Sequence, residues 1–407
     1  MIKLADKYHC TGCAACAQSC THAAITMLYD EEGFLQPHID NDKCVECGLC
    51  QKHCPELNHI KRLDYTNQRF YAIINDEDCK KSSSGGAFSV FAKWILRQGG
   101  IVYGAATTGD FEVKHICVET INELEELRGS KYVQSAIGET YRQIREQLRN
   151  NRKVLFSGTG CQVGGLYAFL NGKRYEGLLY TMDLVCHGVP SYGAFKGYLE
   201  KIKKIDSPNG KLRNIEGFRF RKLDSWSIVP AVKFSKSKWR ILDLSENAFM
   251  DAFFKGITFR ESCFNCQYCN TQRIGTFTIA DFWGIGRHGL KFKRNVSSGV
   301  SLLIDNVGLM PSILDELRGM AYIEERPKDE AVCEQVNLKS PMKRLPARNT
   351  AVKDLIDPLI SLEEFSKRYS LPYKATLKWY VQKIVKDLIY VFGLYNVYKT
   401  IIYKFEK

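Results

Sequence analysis

Two runs of cysteine dominate the beginning of the chain. Cys10, Cys13, Cys16 and Cys20 follow the spacing C-x2-C-x2-C-x3-C, and Cys44, Cys47, Cys50 and Cys54 repeat it, with Pro55 directly after the second run. Three thiolates so close in sequence can hold three corners of one four-iron four-sulfur cube, while the fourth cysteine of each run reaches across to the other cube. The expected ligand sets are Cys10, Cys13 and Cys16 with Cys54, and Cys44, Cys47 and Cys50 with Cys20. A pair of structural zinc sites competes for these residues, but zinc knots rarely use four cysteines so tightly spaced in duplicate. A later stretch, ESCFNCQYCN, places Cys263, Cys266 and Cys269 at two-residue intervals and leaves open where a fourth ligand stands.

The duplicated spacing is that of a bacterial two-cluster ferredoxin, an α+β unit expected over residues 1–62. Between its runs, ITMLYDEEGFLQPHI reads as two short strands around an Asp-Glu-Glu-Gly turn, which brings the motifs together. From Phe70 onward the periodicity changes. FYAII, GIVYGAA, KVLFSG, LLYTMDLV, TFTIADF and GVSLLID read as strands, and AFSVFAKWILRQ, ETYRQIREQLRN and SYGAFKGYLEKIKK as amphipathic helices. That alternation predicts an α/β domain with a mixed, partly parallel sheet over residues 68–335.

Function in such sheets gathers on loops at the carboxyl ends of strands. Three loops qualify. Ser82, Ser83, Ser84, Gly85 and Gly86 open a helix, where serines supply an N-cap and glycines let backbone amides approach a phosphate; a plain cap is the alternative. In RGSKYVQS, Lys131 follows Gly129 and Ser130 and precedes Tyr132; its cation suits the charge of a reduced isoalloxazine, or is merely solvated in a turn. In FSGTGCQVGG, a strand runs through Ser157, Gly158, Thr159 and Gly160 into Cys161 at a helix start, a position fitting a nucleophile, a cluster ligand or a buried inert thiol. Cys186 ends the next strand, on the same edge if the two run parallel. Cys161 and Cys186 are therefore candidate partners for Cys263 and Cys266, and Cys269 offers an alternative with one of the two loop cysteines. His187 is placed either to relay a proton or to bind a turn, and Asp281 either to bind a hydroxyl or to cap a turn. Cys79, Cys117 and Cys333 read as buried apolar residues.

Taken together, SSSGGAFSVFA, IVYGAA, RGSKYVQS, VLFSGTGCQVGGL, DLVCHGVPS, GFRFRK and CFNC followed by DFWG resemble the family of coenzyme F420 hydrogenase/dehydrogenase beta subunits, from about residue 82 to 286. The resemblance implies a non-covalent FAD, a third four-iron cluster beside it, and two-electron chemistry on a small-molecule substrate. Carried onto this sequence, Ser83, Ser84, Gly85, Gly86, Gly129, Ser130, Lys131, Tyr132, Gly158, Thr159, Gly160 and Asp281 would contact the flavin. Cys161, Cys186, Cys263 and Cys266 would hold the cluster, and Lys131 and His187 would serve catalysis. Electrons would come from a redox partner protein such as ferredoxin, or from a deazaflavin coenzyme. Relatives of this arrangement occur in sugar-polymer biosynthesis, but no residue here recognises a sugar. A non-catalytic electron-transfer subunit is the contrasting reading.

The composition narrows the setting. The chain has 407 residues, enough to bury a core without disulfides, so its 16 cysteines point to metal. MIKLADKYHC carries no secretory pattern, and the expected compartment is the reducing cytoplasm. No spanning apolar stretch is present. Of the net charge of +13, residues 339–407 supply much, with fourteen Lys or Arg against six Asp or Glu. No nucleic-acid-binding signature accompanies that charge. Residues 340–407 read as a basic helical extension, LKWYVQKIVKDLIYVFGLYNVYKTIIYKF, suited to its own core, to another subunit or to the inner membrane face, and a homo-oligomer is a separate expectation for the chain.

Overall fold

The computed structural model describes residues 2–61, 63–205, 213–223, 226–286, 291–373 and 385. Near the amino terminus, β1 (Ile25–Tyr29) and β2 (Leu35–Ile39) pair antiparallel, Ile25 opposite Ile39. The Asp-Glu-Glu-Gly stretch turns this hairpin: Gly33 takes φ +71°, and Asp30 accepts hydrogen bonds from the amides of Glu32 and Phe34. The hairpin returns the chain so that the short helices Ala15–Ser19 and Leu49–Lys52, one in each cysteine run, pack together.

The central domain is built on eight strands. They are β3 (Arg69–Ile74), β4 (Ile101–Thr107), β5 (Val113–Val118), β6 (Val154–Thr159), β7 (Leu179–Leu184) and three later ones. After a small antiparallel sheet of β8 (Ile215–Arg219), β9 (Ala231–Phe234) and β10 (Arg240–Ile241) come β11 (Phe277–Asp281), β12 (Ser301–Asp305) and β13 (Tyr322–Arg326). The large sheet has the order β13-β3-β12-β11-β7-β6-β4-β5. Its centre, β11-β7-β6-β4, is parallel, and the flanking pairs are antiparallel.

All six strand runs and all three helices read from the central sequence are present. β5, β13 and the small sheet carried no comparable signal. The sheet is apolar on both faces: Tyr71 and Ile73 of β3 enter one cluster with the Ala87–Arg97 helix, while Phe70, Ala72 and Ile74 enter another. The parallel centre matters most for function, because the carboxyl ends of β6, β7 and β11 then open on one edge.

Residues 340–373 begin the stretch read as a tail, yet they pack into the main body. Ala351, Val352 and Leu355 of the Arg348–Ile356 helix and Phe365 of the Leu362–Arg368 helix share a core with Phe195, Tyr198 and Phe249. The basic pattern after residue 373 lies outside the described residues, apart from 385. Among the described residues, no helix is long and apolar enough to cross a membrane.

Candidate cluster sites and central cavity

Two cavities of about 350 Å³ each lie among the amino-terminal cysteines. Cys10, Cys13, Cys16 and Cys54 wall one, and Cys20, Cys44, Cys47 and Cys50 wall the other, so the last cysteine of each run stands with the other run. Both loops curl in the same way: Gly12 and Ala14 in the first run and Glu46 and Gly48 in the second take left-handed backbone angles. Backbone amides approach two sulfurs, Gly12 N–H to Cys10 Sγ at 3.4 Å and Ala24 N–H to Cys20 Sγ at 3.3 Å. Burial pushes the Cys16 thiol up to about 12 and Cys13 well above the usual range, so bare thiols would stay protonated. Positive metal reverses that preference. A single zinc would draw four sulfurs to about 4 Å of one another. Among the described residues, no three His, Cys, Asp or Glu side chains converge so as to hold a single ion. The thiols surround volumes, which suits cubes.

Arg260 joins this region to the central domain. Its guanidinium is 1% exposed and donates to the Cys10 carbonyl at 2.6 Å, Gln36 Oε1 at 2.8 Å and Gln134 Oε1 at 3.0 Å, and reaches Cys10 Sγ at 3.6 Å. Among the described residues, none of these partners is a carboxylate.

The central cysteines come from three loops. Cys161 is the second residue of the Gly160–Phe169 helix, Cys186 follows β7, and Cys263 and Cys266 lie in and after the turn Glu261–Asn265. Each lies close enough to others of the set to disfavour their ionisation, and burial pushes Cys161, Cys186 and Cys263 up to about 12. Burial therefore disfavours a free nucleophilic thiolate at Cys161. Thr159 Oγ1 lies 3.1 Å from Cys161 Sγ. Cys269 interacts directly with Cys266, and that hydrogen bond lowers its pKa. All five cysteines are thus brought together.

The brace behind them is an ion pair. Arg273, 2% exposed, donates to Asp183 Oδ1 at 2.8 and 3.0 Å, to the Leu184 carbonyl at 2.7 Å and to the Tyr268 carbonyl. It therefore fixes the end of β7 against the Cys266–Cys269 segment. The helix bearing Cys161 also meets the amino-terminal region: a Cβ on Gly165 would fall 3.0 Å from Cys13 Sγ.

Cys161 and Cys186 also wall a much larger cavity, about 1860 Å³ including its open mouth, along the carboxyl edge of the parallel strands. Ser83, Ser84, Gly86, Gly129, Ser130, Lys131, Tyr132, Gly158, Thr159, His187 and Asp281 line it too. Ser83 Oγ accepts from the Ser130 amide at 2.8 Å and Ser84 Oγ donates to the Val300 carbonyl at 3.0 Å, so these hydroxyls tie loops together. Lys131 Nζ donates to the carbonyls of Leu127 and Arg128 at 2.9 Å and Glu126 at 3.3 Å. Burial lowers its pKa to about 7, while those carbonyls favour the ammonium. His187 Nδ1 lies 2.9 Å from Asn337 Oδ1, and its ring is set among Phe253, Phe254 and Phe259. Its Nε2 is buried and has no hydrogen-bond partner among the described residues.

Residues 9–57 match the model described as "4Fe-4S dicluster domain", and residues 151–331 match that of the carboxyl-terminal part of the coenzyme F420 hydrogenase/dehydrogenase beta subunit. The chain is thus similar to the coenzyme F420 hydrogenase/dehydrogenase beta subunit over residues 151–331 and to 4Fe-4S dicluster domains over residues 9–57. A chain in the structure entitled "Xenon derivatization of the F420-reducing [NiFe] hydrogenase complex from Methanosarcina barkeri" aligns over 76% of this chain and 94% of its own, with 16% identity and a TM-score of 0.43. No curated protein matches.

The central domain departs from the sequence expectations at several residues. Gly85 does not line the cavity; a Cβ there would fall 2.1 Å from the Ile73 carbonyl oxygen, so it lets the serine loop press onto β3 and β12. Gly160 likewise lies against Tyr268, 2.8 Å from the Cβ it would carry. The Ala87–Arg97 helix begins at Gly86, φ +84°, with no side-chain cap, because the serines bond elsewhere. Asp281 is already engaged, its two oxygens each 2.7 Å from Arg221 Nη1 and Trp226 Nε1. Cys79 is buried as expected, whereas Cys333 is partly buried and Cys117 is exposed near the end of β5, the edge strand of the large sheet.

Two cavity residues escaped the sequence reading. His115 is buried on β5, its Nε2 3.0 Å from the Ser157 carbonyl and its Nδ1 unpartnered among the described residues; burial lowers its pKa to about 4, so it is neutral. Arg221 lay inside the quoted GFRFRK but drew no role. Neither has a spacing signal, because the partner of each, Ser157 for His115 and Asp281 for Arg221, lies far along the chain.

Proposed function

We propose that this chain is an iron-sulfur flavoprotein oxidoreductase acting on a small-molecule substrate held in the large cavity. The supporting observation is the shared wall: Cys161 and Cys186 belong both to the central cysteine set and to the cavity lined by the serine-glycine loop, Lys131 and His187. When bound, the clusters would supply single-electron transfer and FAD would couple it to two-electron chemistry.

The chain's own residues do the positioning. Arg273 and Asp183 hold the central cysteine loops in register, and Arg260 fixes the Cys10 loop to the segment leading to Cys263. Asn337 orients His187, leaving Nε2 as the ring nitrogen available to an occupant. Lys131, anchored on three carbonyls, sets positive charge at the wall. The ferredoxin-type domain is the entry for electrons from a partner protein; a deazaflavin coenzyme entering the cavity is the other donor. A second reading, an electron-transfer subunit of a larger complex, is favoured by the beta-subunit description of the matched family.

Anaerobic purification with iron, sulfide and flavin assays tests the proposal. About twelve irons and one FAD per chain are expected. About eight irons with FAD would remove the third cluster, and absence of flavin would leave the electron-transfer subunit.

A further inference from the structure

Arg221 lies just beyond β8 and is 4% exposed, yet it lines the large cavity. Its Nη1 donates to Asp281 Oδ2 at 2.7 Å, while its Nε and Nη2 are buried with no hydrogen-bond partner among the described residues. Those two nitrogens form one edge of the guanidinium, the fork whose parallel N–H bonds match two oxygens of a carboxylate or phosphoryl group. A buried N–H pair without an acceptor costs free energy that an occupant can recover.

The fork is held rigidly. Asp281 grips Nη1 and also accepts from Trp226 Nε1 at 2.7 Å, and Gln335 donates to the Asp281 carbonyl. The Tyr132 hydroxyl interacts with the guanidinium without making a well-formed hydrogen bond to Nε or Nη2, and Trp226 stacks on Trp283 with ring centroids 4.9 Å apart. Rotating Arg221 away would break the Asp281 pair, so the fork stays aimed.

We propose that Arg221 is the oxyanion clamp of the cavity: its Nε and Nη2 take two oxygens of a phosphoryl or carboxylate group on the occupant. The Asp281 carboxylate bears on that anion as well, favouring a group that can seat bidentately over a loosely held one. The inference rests on the cavity being the site of flavin and substrate, and the oxyanion belongs either to the flavin's phosphates or to the substrate.

The test compares the full-length wild type with Arg221→Gln and Arg221→Lys, purified anaerobically. Iron content and the unfolding midpoint report folding; Arg221→Lys, which keeps the charge, decides if Arg221→Gln fails to fold. If the clamp holds the flavin, both variants bind FAD about 10- to 100-fold more weakly, and riboflavin binds all three proteins equally. If it holds the substrate, FAD binding is unchanged, and inorganic phosphate or acetate perturbs the bound-flavin spectrum of the wild type alone. Unchanged FAD binding with no anion effect in any protein overturns the clamp. Should no protein bind flavin, the flavin reading fails separately; calorimetry with inorganic pyrophosphate then decides, binding to wild type but not to Arg221→Gln upholding the clamp and equal or absent binding overturning it.

Discussion

The amino-terminal and central cysteines both gather several thiols in one place, by different routes. In the first, three of the four residues walling each cavity come from one short run, and left-handed turns at Gly12 and Gly48 wrap the loop around the space. In the second, Cys161 and Cys186 come from the ends of adjacent parallel strands, and Cys263 and Cys266 from a distant turn. The local arrangement depends little on the rest of the fold. The assembled one depends on an eight-stranded order and on the buried Arg273–Asp183 pair.

Cysteine replacement tests the contrast most strongly. Cys161→Ala is expected to keep about eight irons and lose turnover, leaving the amino-terminal clusters intact. The double variant Cys20→Ala with Cys47→Ala should lose about four irons, because the two residues wall one cavity; a loss of about eight would show that they serve separate cubes.

Arg273→Ala leaves the buried Asp183 carboxylate without its cation, the amides of Ile274 and Gly275 still donating to Oδ2, with an expected cost of about 3 kcal/mol in unfolding. Iron loss should fall on the central set, and an unchanged melting profile would show that the loops hold themselves.

His115 gives a pH signature. Its folded pKa of about 4 lies below the ordinary value, so between pH 6.5 and 4 the unfolded chain takes up a proton that the folded chain refuses. Stability should fall as pH drops through that window, by at most about 3 kcal/mol, and His115→Gln should flatten the slope measured by urea unfolding. An identical slope in the variant would contradict the burial argument.

The subtlest change is expected from Arg260→Gln. Loss of a buried positive charge and of an N–H near Cys10 Sγ should lower the reduction potential of the Cys10-set cluster without changing iron content. A spectroscopic redox titration would read the shift, and an unaltered potential would limit Arg260 to joining domains.

The ferredoxin-type hairpin was legible because Asp30 and Gly33 make a turn whose chemistry is local, and the central strands because burial on both faces leaves continuous apolar runs such as SLLID. The serine loop was only half legible. Its serines suggested an N-cap, but Ser83 and Ser84 bond to Ser130 and Val300, partners distant in sequence.

By itself, the sequence determined the cysteine spacing, the strand and helix periods and the switch between them, because these follow from geometry repeated every few residues. Only the tertiary structure decided that Gly85 and Gly160 serve packing, that Asp281 is occupied by Arg221 and Trp226, that residues 340–373 join the core, and that Arg221 Nε and Nη2 meet no hydrogen-bond partner among the described residues. Each of those outcomes is a contact between segments far apart in the chain, fixed by strand order and burial, and residue type alone does not specify which partner a side chain will meet.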